Sequence, residues 1–168
     1  MEIEDLASRV KHEGPRLSEV EVASFEKTIS TRLPEDFRRF LLLTGGGGEI
    51  DEPLLYQWGA VDCPDAIIGG YWVQLFCAPD GQDEYHSVRP LHRHIEDMEI
   101  TCADVPHGIL VIADDLGGNF LTIDLRAEHY GKIGIVDHET VGDQFDDPET
   151  YMVIAPSFQH FVAQLQSE

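Results

Sequence analysis

The spacing of apolar residues changes period twice along the chain: helical at the start, strand-like through the middle, and helical again at the end. Ile3, Leu6 and Val10 fall at helical spacing and predict a short first helix that Gly14-Pro15 ends. Ser18-x-x-Glu21 then forms a capping box: the serine hydroxyl can take the N3 amide while the glutamate reaches back to the cap amide. Leu17 and Val22 occupy the hydrophobic-staple positions around it, and Phe25 and Ile29 continue the apolar stripe. Leu33-Pro34 opens a third helix, because proline at the first helical position sacrifices no hydrogen bond. Phe37, Phe40, Leu41 and Thr44 lie along one side of that helix, and Gly45 to Gly48 are expected to stop it.

The middle is rich in aromatic and β-branched residues, so Leu54–Val61 and Gly70–Cys77 read as strands, followed by a polar loop over residues 80–86. Residues 87–102 carry mixed signals, with a short helix expected around Leu91–Met98. From Pro106 the pattern is plainly β. Ile109–Ala113, Phe120–Leu125 and Ile133–Val136 are three short strands whose brief connections favour antiparallel neighbours. An acidic segment from Asp137 to Glu149 follows. Ala155-Pro156-Ser157 then starts a last helix, with Phe158, Phe161, Val162 and Leu165 at i, i+3, i+4 and i+7. The expected architecture is a single α+β domain over residues 1–168: an antiparallel-dominated β-sheet with the N-terminal helices and a C-terminal helix packed against one face. The other face, or its rim, is left as the working surface.

Charge changes the picture most. The 168 residues carry 32 Asp and Glu against 11 Lys and Arg, a net of −21. The imbalance is concentrated in residues 95–168, where 15 acids face only Arg126 and Lys132. Such a chain repels phosphate backbones and anionic membranes, which excludes nucleic acid and lipid surfaces as partners. A basic protein or a cation is what it would attract. Cys63, Cys77 and Cys102 are irregularly spaced with no Cys-x-x-Cys, fitting buried thiols rather than a disulfide frame. The acidic start (Met1-Glu2-Ile3-Glu4-Asp5) lacks the basic, then apolar, pattern of a secretory signal. No apolar run approaches the ~20 residues needed to span a bilayer. A cytoplasmic location is expected.

Three stretches resemble, in this order, the SMI1/KNR4 family, also called the SUKH superfamily. The first runs from Leu33-Pro34-Glu35-Asp36-Phe37 through an apolar helix to Gly45–Gly48. The second, Pro106 to Glu139, holds Ile112-Ala113-Asp114 before Gly118-Asn119, a strand ending in Asp124-Leu125, and a Gly-x-Ile/Val strand. The third is Ile154-Ala155-Pro156-Ser157-Phe158, at the opening of the last helix. Together they anchor residues 17–166, with residues 50–105 matching only loosely. The resemblance implies a protein-binding module rather than an enzyme. Many bacterial members are regarded as immunity proteins that bind and block polymorphic toxins, and fungal members act as scaffolds in cell-wall signalling.

The sharper chemical readings compete poorly with plainer ones. Asp114-Asp115-Leu116-Gly117-Gly118-Asn119 could hold Ca²⁺, but Leu116 and Gly118 stand where an EF-hand loop needs oxygen ligands. A tight turn accounts for it better. His92, His94, Glu96, Asp97 and Glu99 lack a second cluster at metal-ligand spacing, although His107, His129 and His138 are free to join them in space. Gly45–Gly48 is followed by Glu49, not by a phosphate-loop Gly-Lys-Ser/Thr. No catalytic residue, cofactor or metal is therefore expected. The partner-binding candidates are Asp137, Glu139, Asp143, Asp146, Asp147 and Glu149, in a segment without Lys or Arg, together with Trp58 and Trp72 as aromatic anchors. Tyr56 and Tyr71 are further anchor candidates. The expected function is immunity: binding and neutralising a basic toxin domain, such as a nuclease. A regulatory scaffold and a metal-binding protein stand as alternatives.

Overall fold

The computed structural model describes residues 1–11, 16–44, 47–58, 69–77, 88–90, 105–114, 117–140, 145 and 150–167. The elements are α1 (Ile3–Arg9), β1 (Val10–Lys11), α2 (Glu19–Thr28), α3 (Glu35–Thr44), β2 (Gly48–Trp58), β3 (Gly69–Phe76), β4 (Arg89–Pro90), β5 (Ile109–Asp114), β6 (Phe120–Asp124), β7 (Ile133–Val136), β8 (Tyr151–Ala155) and α4 (Phe158–Gln164). The fold is α+β, as expected. Its strands form one sheet in the order β1-β2-β3-β5-β6-β7-β8, with β4 extending the line of β3 along β5, and every pairing is antiparallel.

Local chemistry explains the helix starts. Ser18 Oγ accepts from the Glu21 N–H at 3.3 Å and the Glu21 carboxylate accepts from the Ser18 N–H at 2.7 Å, which completes the expected capping box. A second box, unrecognised in the sequence, starts α1: Asp5 accepts from the Glu2 N–H at 3.1 Å. The first helix also ends sooner than Gly14-Pro15. Val10 turns to extended backbone and pairs with Ile50, because the short strand finds an open ladder beside β2. The glycine run does not merely stop α3, since Gly48 already opens β2 opposite Phe76. The helix expected at Leu91–Met98 lies outside the described residues.

β8 was hidden in the sequence. Tyr151-Met152-Val153-Ile154 lies between the acidic segment and the Ala155-Pro156-Ser157 helix start, where no element is expected from the sequence. Long-range pairing with β7 makes it a strand.

The register fixes which face each residue joins, because directly opposed residues project from the same side of a sheet. Phe76, Ala113, Leu121, Ile135 and Met152 are successive partners across β3, β5, β6, β7 and β8. Phe76 packs on Phe40 of α3 with ring centroids 4.7 Å apart and also meets Phe158 of α4, so this row faces the helices. Phe158 meets Phe37 and Phe40 at 5.2 and 5.1 Å, which centres the core on an aromatic cluster. The adjacent row, Asp114, Phe120, Val136 and Tyr151, belongs to the face turned away from the helices.

The sheet rolls. β2 and β8 are five strand steps apart, about 24 Å in a flat sheet. Yet the Tyr56 hydroxyl of β2 donates to the Ile154 carbonyl of β8 at 2.8 Å, while its ring stacks on Phe161 of α4 at 4.8 Å. Beyond α4, Gln166 and Leu55 exchange two backbone hydrogen bonds of 2.9 Å, closing the same seam. α4 therefore lies inside the curl, where Phe158, Phe161 and Val162 are wholly buried.

Candidate functional site

The face away from the helices is not the open surface that the sequence suggests. Phe120, Thr122 and Asp124 are buried, as are Leu121 and Ile123 between them, so the centre of the sheet is covered on both sides. On that far face the chain builds a polar cluster. The Asp124 carboxylate, fully buried, accepts from the Arg126 backbone N–H at 2.9 Å and from its guanidinium at 2.7 and 3.1 Å. Two residues of spacing let Arg126 fold back over the strand end and pair with the carboxylate its own chain has buried. The Tyr151 hydroxyl approaches the same carboxylate at 3.5 Å. Burial first, and then the Asp124 charge, raise the Tyr151 phenol well above its ordinary range, so it stays neutral.

The Tyr151 ring crosses the sheet at Gly134. A Cβ at that position would lie 2.4 Å from the ring, so only glycine leaves the notch open. Phe145, 1% exposed, stacks on Tyr151 with centroids 4.9 Å apart and planes 25° from parallel. This phenylalanine sits in the middle of the acidic segment.

The ends of that segment are also tied. The Asp137 N–H donates to the Thr150 carbonyl at 3.0 Å, and the Thr150 hydroxyl donates to the Thr140 carbonyl at 3.2 Å. Asp137 turns the chain by accepting from the Glu139 N–H at 2.8 Å. Beside this neck lies the β5–β6 turn. Gly118 takes φ +92°, a conformation that a side chain resists, and Asn119 follows it. The Asn119 side-chain oxygen accepts from the His138 N–H at 3.3 Å and lies 3.1 Å from its Nδ1, while its backbone carbonyl accepts from the Tyr71 hydroxyl at 3.0 Å. Asn119 thus bonds across to β7's exit.

Asp114, Asp137 and Glu139 are thereby brought to one rim of the sheet, at the ends of β5 and β7. Asp143, Asp146, Asp147 and Glu149 lie outside the described residues. Trp58 ends β2 opposite Gly69, and Trp72 pairs with Leu55 in β3. Those two strands are separated from β7 by β5 and β6, so the tryptophans are not on a strand next to the acidic neck. Tyr56 and Tyr71 are core residues, 0% and 3% exposed, and do not serve as anchors for a partner. Phe145 and Tyr151, which stack on each other, escaped notice in the sequence. The available signal was an isolated aromatic inside a run of acids.

Metal-ligand geometry is not assembled here: no group of three or more His, Cys, Asp or Glu that could hold an ion occurs among the described residues. His129 contacts Lys132 at 3.1 Å and His138 contacts Asn119, while His92 and His94 lie outside the described residues. Cys77 is a buried thiol, as expected; Cys63 and Cys102 are outside the described residues. No helix among the described residues is long and apolar enough to cross a membrane.

Fold and site together define an α+β scaffold whose polar turns brace the sheet, with Asp114, Asp137 and Glu139 at one rim. The model of the SMI1/KNR4 family (SUKH-1) matches residues 16–164, and the chain belongs to that family. The family is generally non-catalytic, its domains typically bind protein partners, and it includes immunity proteins. No curated protein and no solved structure matches the chain significantly.

Proposed function

We infer that this chain acts as one cytoplasmic, non-enzymatic domain that binds and neutralises a basic toxin domain, using the acidic segment after β7 as its electrostatic contact. The observation that carries this reading is the distribution of charge along the sequence from Asp137 to Glu149. Asp137, Glu139, Asp143, Asp146, Asp147 and Glu149 occur with no Lys or Arg among them. Of the two cations in residues 95–168, Arg126 is drawn to buried Asp124 and Lys132 lies against His129. The C-terminal part of the sequence thus has few cations of its own to offset these acids. Complementary charge of this kind raises association rates toward ~10⁸–10⁹ M⁻¹s⁻¹ at low salt and rejects like-charged partners. A nuclease fits best, because its phosphate-binding cleft is a preformed cationic surface. Trp58 and Trp72 are the aromatic residues proposed to supply affinity.

Co-expression with the product of the adjacent gene tests the reading. Growth is rescued when that gene encodes a cationic toxin, and purified protein captures the toxin domain at low salt. Neutralising Asp143, Asp146, Asp147 and Glu149 to their amides slows capture about tenfold and flattens its salt dependence. Absence of any neighbouring toxin, with no cationic protein captured, overturns it. Capture of several weakly bound endogenous proteins instead would favour a regulatory scaffold.

A further inference from the structure

We propose that the outer edge of β2 is a self-pairing surface held closed within each copy, and that once opened it takes β2 of a second copy. β1 and the stretch Leu165–Ser167 are the two covers. The proposal is independent of the neutralisation reading.

β2 runs for 11 residues, and β3 pairs with it on the inner side. On the outer side Val10 and Lys11 oppose Ile50 and Glu49, and Gln166 opposes Leu55. The Leu55 N–H donates to the Gln166 carbonyl, and the Gln166 N–H to the Leu55 carbonyl, each at 2.9 Å. The covers are coupled. Arg9, the residue before β1, donates to Ser167 Oγ at 2.7 Å, and the Gln159 side-chain amide of α4 donates to the Glu2 carboxylate at 3.3 Å. A strand edge without such covers is a template for another strand.

Backbone alternation selects the occupant. Leu55 directs both its N–H and its C=O outward, so Gln57, two residues on, does the same. Gln57 is exposed, and no residue opposes it on that side among the described residues. Two copies related by a two-fold axis would pair these strands antiparallel. Centred on Tyr56, Leu55 of each copy meets Gln57 of the other, and both pairs can exchange their hydrogen bonds. Centred on Leu55 instead, Gln57 would meet Pro53, which has no N–H to give. The Tyr56 register also sets five uncharged residues, Leu54–Trp58, against the same five, while Asp51 and Glu52 fall outside the paired stretch. Like charges directly opposed would destabilise a register that drew them in.

Light scattering and amide hydrogen exchange on the full chain test the proposal. The wild type is expected to be a monomer whose Leu55 amide is protected and whose Gln57 amide is not. Gln166→Pro removes the N–H given to Leu55, and the extended Leu165 before it (φ −63°, ψ 135°) already suits a following proline. Combined with Arg9→Ala, it is expected to double the molar mass as protein concentration rises and to slow exchange at Gln57 at least tenfold. Adding Gln57→Pro, which takes away the outward N–H and spares the ladder to β3, returns the chain to a monomer. Arg9→Ala with Ser167→Ala loosens the covers without altering a backbone amide; it shifts the mass the same way at higher concentration and decides the matter should the proline variant not fold. A monomeric mass at every concentration, in whichever of these variants unfolds cooperatively, overturns the proposal. So does a dimer that survives Gln57→Pro, because the copies then pair elsewhere. A wild type that is already dimeric, with Gln57 protected, overturns the closure.

Discussion

Asp36 and Gln159 stand 123 residues apart in the chain, and the Asp36 carboxylate accepts a 2.8 Å hydrogen bond from the Gln159 N–H. Its other oxygen accepts from the Phe37 N–H at 2.8 Å. The aspartate of the Leu33-Pro34-Glu35-Asp36 segment therefore serves two helices, turning at the start of α3 and satisfying an open amide in the first turn of α4. Ser157 satisfies a neighbouring one by accepting from the His160 N–H at 3.1 Å. The contact ties the first of the three family-like stretches to the residue just after the third, so Asp36 has a folding role.

Asp36→Ala should accordingly lower unfolding stability by about 1–2 kcal/mol, the usual cost of losing a cap. Asp36→Asn keeps an acceptor oxygen and should lose less. Urea denaturation of both variants checks the order; equal losses would mean that the charge rather than the hydrogen bond matters.

Arg126→Leu should cost more, about 3 kcal/mol, because it leaves the buried Asp124 carboxylate without its guanidinium. The side chain of Arg126 is 32% exposed, which places the figure at the lower end of the range for buried pairs. Replacing both residues, Asp124→Leu with Arg126→Leu, should recover part of the loss. A double variant no more stable than Arg126→Leu would show that the carboxylate alone organises the strand end.

Tyr151 gives the chain an alkaline limit. An unfolded phenol releases its proton near its ordinary value of 10.0, whereas the folded one, raised by burial and then by Asp124, keeps it to higher pH. The folded state thus holds more protons in that interval, so this contribution to stability is intact below about pH 10 and falls as pH rises. Urea midpoints measured between about pH 8 and 11 should decline more steeply in the wild type than in Tyr151→Phe. Parallel slopes would contradict the assignment.

A chain beginning at Arg16 should fold less stably although it retains the family match, which starts at residue 16. Ile3 and Leu6 are buried at 1% and 0% exposure, and each such side chain contributes roughly 1.5–3 kcal/mol. α1 also ties the two ends of the chain, since Arg9 donates to Ser167 Oγ at 2.7 Å. Thermal unfolding of the shortened chain is expected to remain cooperative with a lower midpoint. An unchanged midpoint would show that α1 packs without stabilising.

What the amino-acid sequence determined by itself was local. The capping box at Ser18, the apolar stripes of α2, α3 and α4, the three strands after Pro106 and the tight turn at Gly118 all follow from side chains within a few residues of one another. The net charge and the loss of cations after residue 95 were equally plain. The tertiary structure alone decided what depends on residues brought together from afar. It made Tyr151–Ala155 an edge strand, rolled the sheet until Tyr56 reached Ile154, buried the far face, and seated Phe145 on Tyr151 over Gly134. No periodicity encodes such contacts, because each is settled by the register between strands and by the space that one missing Cβ leaves open.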